Sequence, residues 1–246
     1  MIEQKLIVGR YLELNTPAPA FAGPAVAGFQ EVNAVVLHIA ESQSSAAPLS
    51  QQNAPHGFNP TFKQKVAIGL QRTGQQIESQ FDRQRTSATG LGAVAKTHRN
   101  FVWLEWLPGF VSEVQPGGMD VLTGPMSGCW ITSYLRGVVH YIGHVGTENL
   151  PTSANSIAAR NAWNAFAAGV PIGAYSGFNP FNDPWIGGPV PAGLPGESAR
   201  KTFALVTAAG TFHTVIAYPQ LNKPTRIRIA GIQQNFSSLP QNGQIV

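Results

Sequence analysis

The sequence predicts a single α+β domain spanning residues 1–246. Three observations carry this expectation. Short apolar runs with strand-like alternation recur along the chain. Two segments show helical periodicity between capping signals. The 26 glycines and 19 prolines mark many turns, yet fall short of a low-complexity composition. No internal repeat or linker divides the chain, and 43% hydrophobic residues suffice for a large core.

In chain order, Lys5 to Leu14 alternates, with Leu6, Val8, Leu12 and Leu14 on one face, and reads as a strand. Residues 15–28 form a Pro/Ala/Gly loop, Val32–Ile39 a second strand, and residues 40–57 a polar connection. A helix is expected next: Asn59 is a fair N-cap, Pro60 takes the first position, and Phe62, Val66, Leu70, Ile77 and Phe81 follow at helical spacing. Residues 86–98 read as a loop. Phe101–Leu107 is an aromatic-rich strand stopped by Pro108-Gly109, and Val111–Gln115 continues it to the turn Pro116-Gly117-Gly118. Cys129–Leu135 and Val138–Val145 read as two strands joined at Arg136-Gly137. A second helix is expected from Ser153, its cap, to Ala168, ended by Gly169 and Pro171. Residues 171–200 form a long Gly/Pro/aromatic loop of the kind that tends to carry function. Lys201–Thr207, Thr211–Tyr218 and Arg226–Ile232 close the chain as strands.

Composition excludes several function classes. Charged residues make up 11%, against roughly 25% in an average globular protein. The net charge is +4, with bases scattered in loose groups at Arg83/Arg85, Lys96/His98/Arg99 and Lys223/Arg226/Arg228. This argues against a nucleic-acid or anionic-membrane partner and leaves room for an acidic protein partner. The single cysteine rules out an intramolecular disulfide and a multi-thiolate zinc site. The apolar stretch of MIEQKLIVGRYLEL is interrupted by Gly9, Arg10 and Glu13, so no cleaved signal peptide is expected, and no run has the length of a membrane span. No phosphate loop or dinucleotide fingerprint is present, and no cofactor is expected. No metal is expected either: His140 and His144 are four apart in a β-like segment that offers no third ligand, and His38, His56, His98 and His213 are isolated. Core packing is the expected role of Trp103 and Trp106, although their uneven spacing suits a pocket wall for one; Phe181 and Trp185 in the long loop could meet a partner.

The segment VLTGPMSGCWITSYLRGVVHYIGHVGTE holds the candidate chemistry. A hairpin with the two-residue loop Arg136-Gly137 pairs Leu135 with Val138, Ser133 with His140 and Cys129 with His144. Directly opposed residues share a face, with Cβ atoms roughly 4.5–5.5 Å apart. In this register His144, not His140, meets the thiol. An imidazole that takes the thiol proton produces a thiolate able to attack a carboxamide carbon. Gly128 leaves the neighbouring backbone uncovered for an oxyanion, and an oxygen such as that of Thr123 could fix the imidazole tautomer. The competing reading is a cysteine and a histidine packed in a sheet, since a lone cysteine is most often a small buried hydrophobe.

Residues 100–147 hold Trp103-Leu104-Glu105-Trp106, Gln115-Pro116-Gly117, Met126-Ser127-Gly128-Cys129 and, six positions before the cysteine, Thr123. In these features the segment resembles the glutamine-deamidase toxins of the cytotoxic necrotizing factor and Burkholderia lethal factor type. His144-Val145-Gly146-Thr147 matches the His-x-Gly-Thr run of the necrotizing-factor branch, fifteen residues after the cysteine; the lethal-factor spacing is shorter and nearer to His140. The resemblance covers roughly a fifth of the chain. It implies a central β-sandwich flanked by helices and long loops, with Cys129, His144 and Thr123 as catalytic residues. It also implies deamidation of one glutamine on a host protein, Rho-type GTPases and a translation-initiation helicase being the family's targets, by a monomer delivered to the host-cell cytoplasm. A transglutaminase on the same site is the chemical variant. A non-catalytic β-rich binding or adaptor domain, with Cys129 a buried thiol, is the reading from a different class.

Overall fold

The computed structural model describes residues 2–16, 18–38 and 100–246. The expected helix at 59–81, the connections at 40–57 and 86–98, and the bases at 83–99 lie outside the described residues. The described residues fall in one compact unit.

That unit has a mixed α+β fold. Its strands are β1 (Tyr11–Glu13), β2 (Phe29–Glu31), β3 (Val35–His38), β4 (Asn100–Leu104), β5 (Val111–Val114), β6 (Asp120–Met126), β7 (Trp130–Arg136), β8 (Val139–Val145), β9 (Tyr175–Phe178), β10 (Lys201–Val206), β11 (Phe212–Gln220) and β12 (Lys223–Asn235). One helix, α1 (Ala154–Ala168), separates β8 from β9, and Ser153 caps it by accepting from the Ser156 N–H at 3.1 Å. Seven strands form a sheet in the order β1-β12-β11-β10-β6-β4-β3, and five form a second sheet in the order β2-β5-β8-β7-β9. Pairing is antiparallel except between β4 and β6 and between β2 and β5.

Strand alternation sorts the side chains into three apolar layers. Val102, Leu104, Val121, Ala204 and Val206 of the larger sheet meet Val114, Ile131, Ile142 and Phe178 of the smaller one, and Cys129 belongs to this layer. On its other side the larger sheet buries Leu12, Phe101, Trp103, Leu122 and Phe203 with Ile2, Leu6 and Leu14. The smaller sheet buries Tyr134 and Tyr141 against Trp163 and Ala159 of α1.

Several expectations need correction. The strand over Lys5–Leu14 shrinks to β1, since the chain turns at Ile7–Arg10, where the Arg10 N–H donates to the Ile7 carbonyl at 3.0 Å and Gly9 has φ +88°; Val8 is half-exposed, and Leu6, Leu12 and Leu14 are nonetheless buried. The strand over Val32–Ile39 shortens to β3, with Val32 making only an isolated bridge to Phe21, and β2 precedes it on the other sheet. No strand is expected between the turn Pro116-Gly117-Gly118 and Cys129, where Gly124-Pro125 is a turn signal, yet β6 runs there. Its place is fixed by long-range pairing: Val102 and Trp103 of β4 align with Val121 and Leu122, and Leu205 of β10 also pairs Leu122. The loop 171–200 contains β9, an edge strand on β7. Among the described residues, no helix is long and apolar enough to cross a membrane.

Candidate active site

The β7–β8 hairpin turns at Gly137-Val138. Gly137 has φ +63°. Glycine at the first position of a two-residue loop suits a type II′ turn, which matches the twist of the flanking strands. Arg136 consequently pairs with Val139, Leu135 with His140 and Ile131 with His144. The expected loop Arg136-Gly137, and with it direct opposition of Cys129 and His144, is overturned by a register shift of two residues. An even shift moves no side chain to the other face. Cys129, just before β7, lies two residues short of Ile131, the direct partner of His144. Ser133 and His140 have the same offset four residues nearer the turn, and there Oγ and Nε2 lie 2.8 Å apart. His140 is therefore engaged with Ser133 at the exposed end of the hairpin, and the structure does not bring it to Cys129.

Thr123 falls between the expected strands and instead lies within β6. Alternation sends Leu122 to the outer layer and turns Val121 and Thr123 toward the smaller sheet. There Thr123 Oγ1 lies 2.7 Å from His144 Nδ1, a polar contact between the two sheets. Both residues are fully buried, and His144 Nε2 has no hydrogen-bond partner among the described residues. Burial pushes the His144 pKa down to about 3, so its imidazole is neutral at neutral pH. In the tautomer whose Nδ1–H donates to Thr123, Nε2 carries a lone pair able to accept a proton.

Cys129 is also buried. Its Sγ donates to the Thr147 carbonyl at 3.2 Å, and Trp106 Nε1 donates to the same oxygen at 3.2 Å. Burial raises the thiol pKa, opposed only in part by the polar groups of Thr147, Ser127 and Trp106 nearby. No hydrogen bond joins Cys129 Sγ to His144. The Thr147 carbonyl is held in place by Gly146, whose N–H donates to Phe110 at 2.8 Å and whose own carbonyl accepts from Gly109 at 3.1 Å. A Cβ at Gly146 would lie 1.9 Å from the Leu107 carbonyl oxygen, so the chain has no room for one.

A cleft of about 270 Å³ runs beside this cluster, along Ser127, Gly128, Thr147, Asn149, Arg160 and Asn179. Gly128 has φ +117°, and a Cβ there would meet nothing within 4 Å, so the backbone beside the cysteine is open on that side. Phe181, half-exposed, lines the cleft, whereas Trp185 lies over Gly231 and donates to the Gly188 carbonyl at 2.7 Å. A larger cavity of about 390 Å³, at Trp103, Glu105 and Phe203, adjoins the outer layer of the seven-stranded sheet. Among the described residues, no cluster of three His, Cys, Asp or Glu side chains could hold a metal. Sequence reading missed Asn179, a buried residue whose Nδ2 donates to the Gly128 carbonyl at 3.2 Å. Its one sequence signal is the dipeptide Asn179-Pro180, a turn initiator inside the long loop.

No family model, no curated protein and no solved structure matches this chain.

Proposed function

We propose that this protein is a cysteine-dependent deamidase of glutamine side chains on a host protein, with Cys129 as nucleophile, His144 as base and Thr123 orienting the imidazole. The observation that carries the reading is the 2.7 Å contact of Thr123 Oγ1 with His144 Nδ1, made in a largely apolar layer that also holds Cys129. A buried imidazole bonded at one nitrogen and unpartnered at the other is arranged to receive a proton. Two sheets sharing that layer, with α1 on one of them, also suit the β-sandwich reading of the fold.

In the reaction, the thiol leaves Thr147 and passes its proton to His144 Nε2. The sulfur then bonds to the carboxamide carbon, and the carbonyl electron pair moves onto oxygen. As the pair returns, the C–N bond breaks and the leaving nitrogen takes the proton from His144, departing as ammonia. Water, deprotonated by His144, cleaves the thioester to glutamate and free thiol. An amine in place of that water would make the same site a transglutaminase. Action inside a host cell by a monomer, on a GTPase or a helicase, is part of the same proposal.

A specific observation favours a second reading, a non-catalytic β-rich binding domain. Cys129 Sγ is covered, bonded to a backbone carbonyl and raised in pKa, which at the sulfur fits an inert structural thiol more closely than a poised nucleophile. Alkylation separates the two. Under the deamidase reading Cys129 reacts with iodoacetamide faster than a free model thiol; a thiol that stays unlabelled in the folded protein defeats it. The direct test incubates the protein with host-cell lysate and searches by mass spectrometry for glutamine converted to glutamate, with Cys129→Ser as control. New peptide fragments in place of conversion would identify a protease.

A further inference from the structure

We propose that Asn179 is a positioning residue that sets the Gly128–Cys129 peptide so that the Cys129 N–H can donate to the oxyanion of an acyl-transfer intermediate. This rests on the cysteine-nucleophile reading above.

The placement follows from strand pairing. Phe178, the last residue of β9, pairs with Ile131 of β7. Asn179 therefore leaves the sheet beside the stretch that enters β7, where Gly128 and Cys129 lie. A short turn then fixes the side chain. Asn179 Oδ1 accepts from the Phe181 N–H at 3.2 Å and the Asn182 N–H at 3.0 Å, and the Asn179 N–H donates to Asp183 Oδ2 at 3.2 Å. Only the amide oxygen can accept those two bonds, so the orientation of the carboxamide is chemically determined. Its nitrogen must face Gly128, whose carbonyl it meets at 3.2 Å.

That bond matters because Gly128 has φ +117°, a conformation with many accessible neighbours for glycine. A glycine there leaves the next peptide free to rotate unless something holds it. Asn179 holds the carbonyl end. In a trans peptide the N–H points away from the carbonyl, so fixing the Gly128 oxygen also fixes the direction of the Cys129 N–H. Among the described residues no backbone carbonyl accepts from that N–H. Asn179 and Gly128 both border the cleft, and the space beside Gly128 is open. A donor held in advance stabilises developing negative charge without reorganising during the reaction.

The test compares two reactions of the same thiol. Alkylation by iodoacetamide displaces iodide and forms no oxyanion. Acylation by p-nitrophenyl acetate forms a C–S bond, places the carbonyl pair on oxygen, and expels p-nitrophenolate as that pair returns. Asn179→Ser removes the amide donor while its hydroxyl can still cap the turn. Asn179→Asp preserves the side-chain shape and covers the case in which serine loosens the loop. In either folded variant, acylation is expected to slow at least about tenfold while alkylation stays within about threefold of the parent protein. Equal slowing of both reactions, or of neither, would overturn the role of Asn179 and leave the nucleophile reading standing. If the parent protein shows neither reaction at Cys129, the nucleophile reading falls, and this inference falls with it.

Discussion

At the scale of single residues, Thr123 is the informative position. Its hydroxyl, not its backbone carbonyl, faces His144. A backbone contact would survive any substitution; a hydroxyl contact does not. Thr123→Ala is therefore expected to leave a second imidazole nitrogen unpaired, at a stability cost of about 1–3 kcal/mol. Cys129-dependent ammonia release from the protein substrate should fall on the order of 100-fold, the low end of what a positioned base contributes. Thr123→Ser retains the hydroxyl and should keep most of the activity, which separates the hydrogen bond from mere packing. At the sulfur, Cys129→Ser is nearly isosteric, and its hydroxyl can still donate to Thr147. It should abolish turnover with an unchanged circular dichroism spectrum, because an alcohol is a far weaker nucleophile here. Retained activity in that variant would remove Cys129 from the mechanism. The residue types at this site were legible in the sequence. The parking of the thiol on Thr147, and the bond from Asn179 to Gly128, were not: the first leaves no local pattern, and the Asn179-Pro180 turn signal names no partner.

At the scale of elements, the hairpin and the bend after it set the geometry, and two glycines report on them separately. Gly146→Ala would drive a Cβ into the Leu107 carbonyl, with no flexible side chain to yield. The strand end must then move, taking the Thr147 carbonyl with it, and a destabilisation of about 3–5 kcal/mol is expected. Gly137→Ala meets nothing within 4 Å but keeps φ +63°. It should cost only about 1–2 kcal/mol, the penalty of left-handed backbone. Urea denaturation of both variants measures the contrast, and equal costs would show that crowding at Gly146 is relieved by movement of its surroundings. Most strands around the site were readable from alternation, including β7, β8 and β10 to within a residue or two of their ends. Strand β6 was hidden by Gly124-Pro125, and β9 by the glycines and prolines around it, because each is specified by its sheet neighbours more than by its own residues.

At the scale of the whole described unit, the two sheets enclose a titratable group. An unfolded histidine titrates near 6.5, and folded His144 near 3. Between those values the unfolded chain binds a proton that the folded chain refuses, so its contribution to stability is complete above about pH 6.5, shrinks as pH falls, and is gone below about pH 3. The full shift corresponds to on the order of 5 kcal/mol. Burial lowers His140 and His213 as well, with the same sign, whereas Glu113, raised chiefly by burial, loses its contribution as pH rises. The measurement is therefore a difference: urea midpoints from pH 7 to pH 4 should fall more steeply for the parent protein than for His144→Gln. Parallel curves would show that His144 is not held neutral in the fold.

The sequence by itself determined the α+β class, the pairing of β7 with β8, and the face on which each side chain of that hairpin lies. Facing depends only on the two-residue period of a strand, so it survived an error of two in register. The register itself turned on which residue could take the left-handed position of the turn, and Gly137 decided it. Only the tertiary structure brought Thr123 of one sheet against His144 of the other, turned the thiol to Thr147, and set Asn179 beside Gly128. These contacts join residues as many as 51 positions apart. They arise from how two sheets close on a shared apolar layer, and periodicity within a strand says nothing about which strand lies across it.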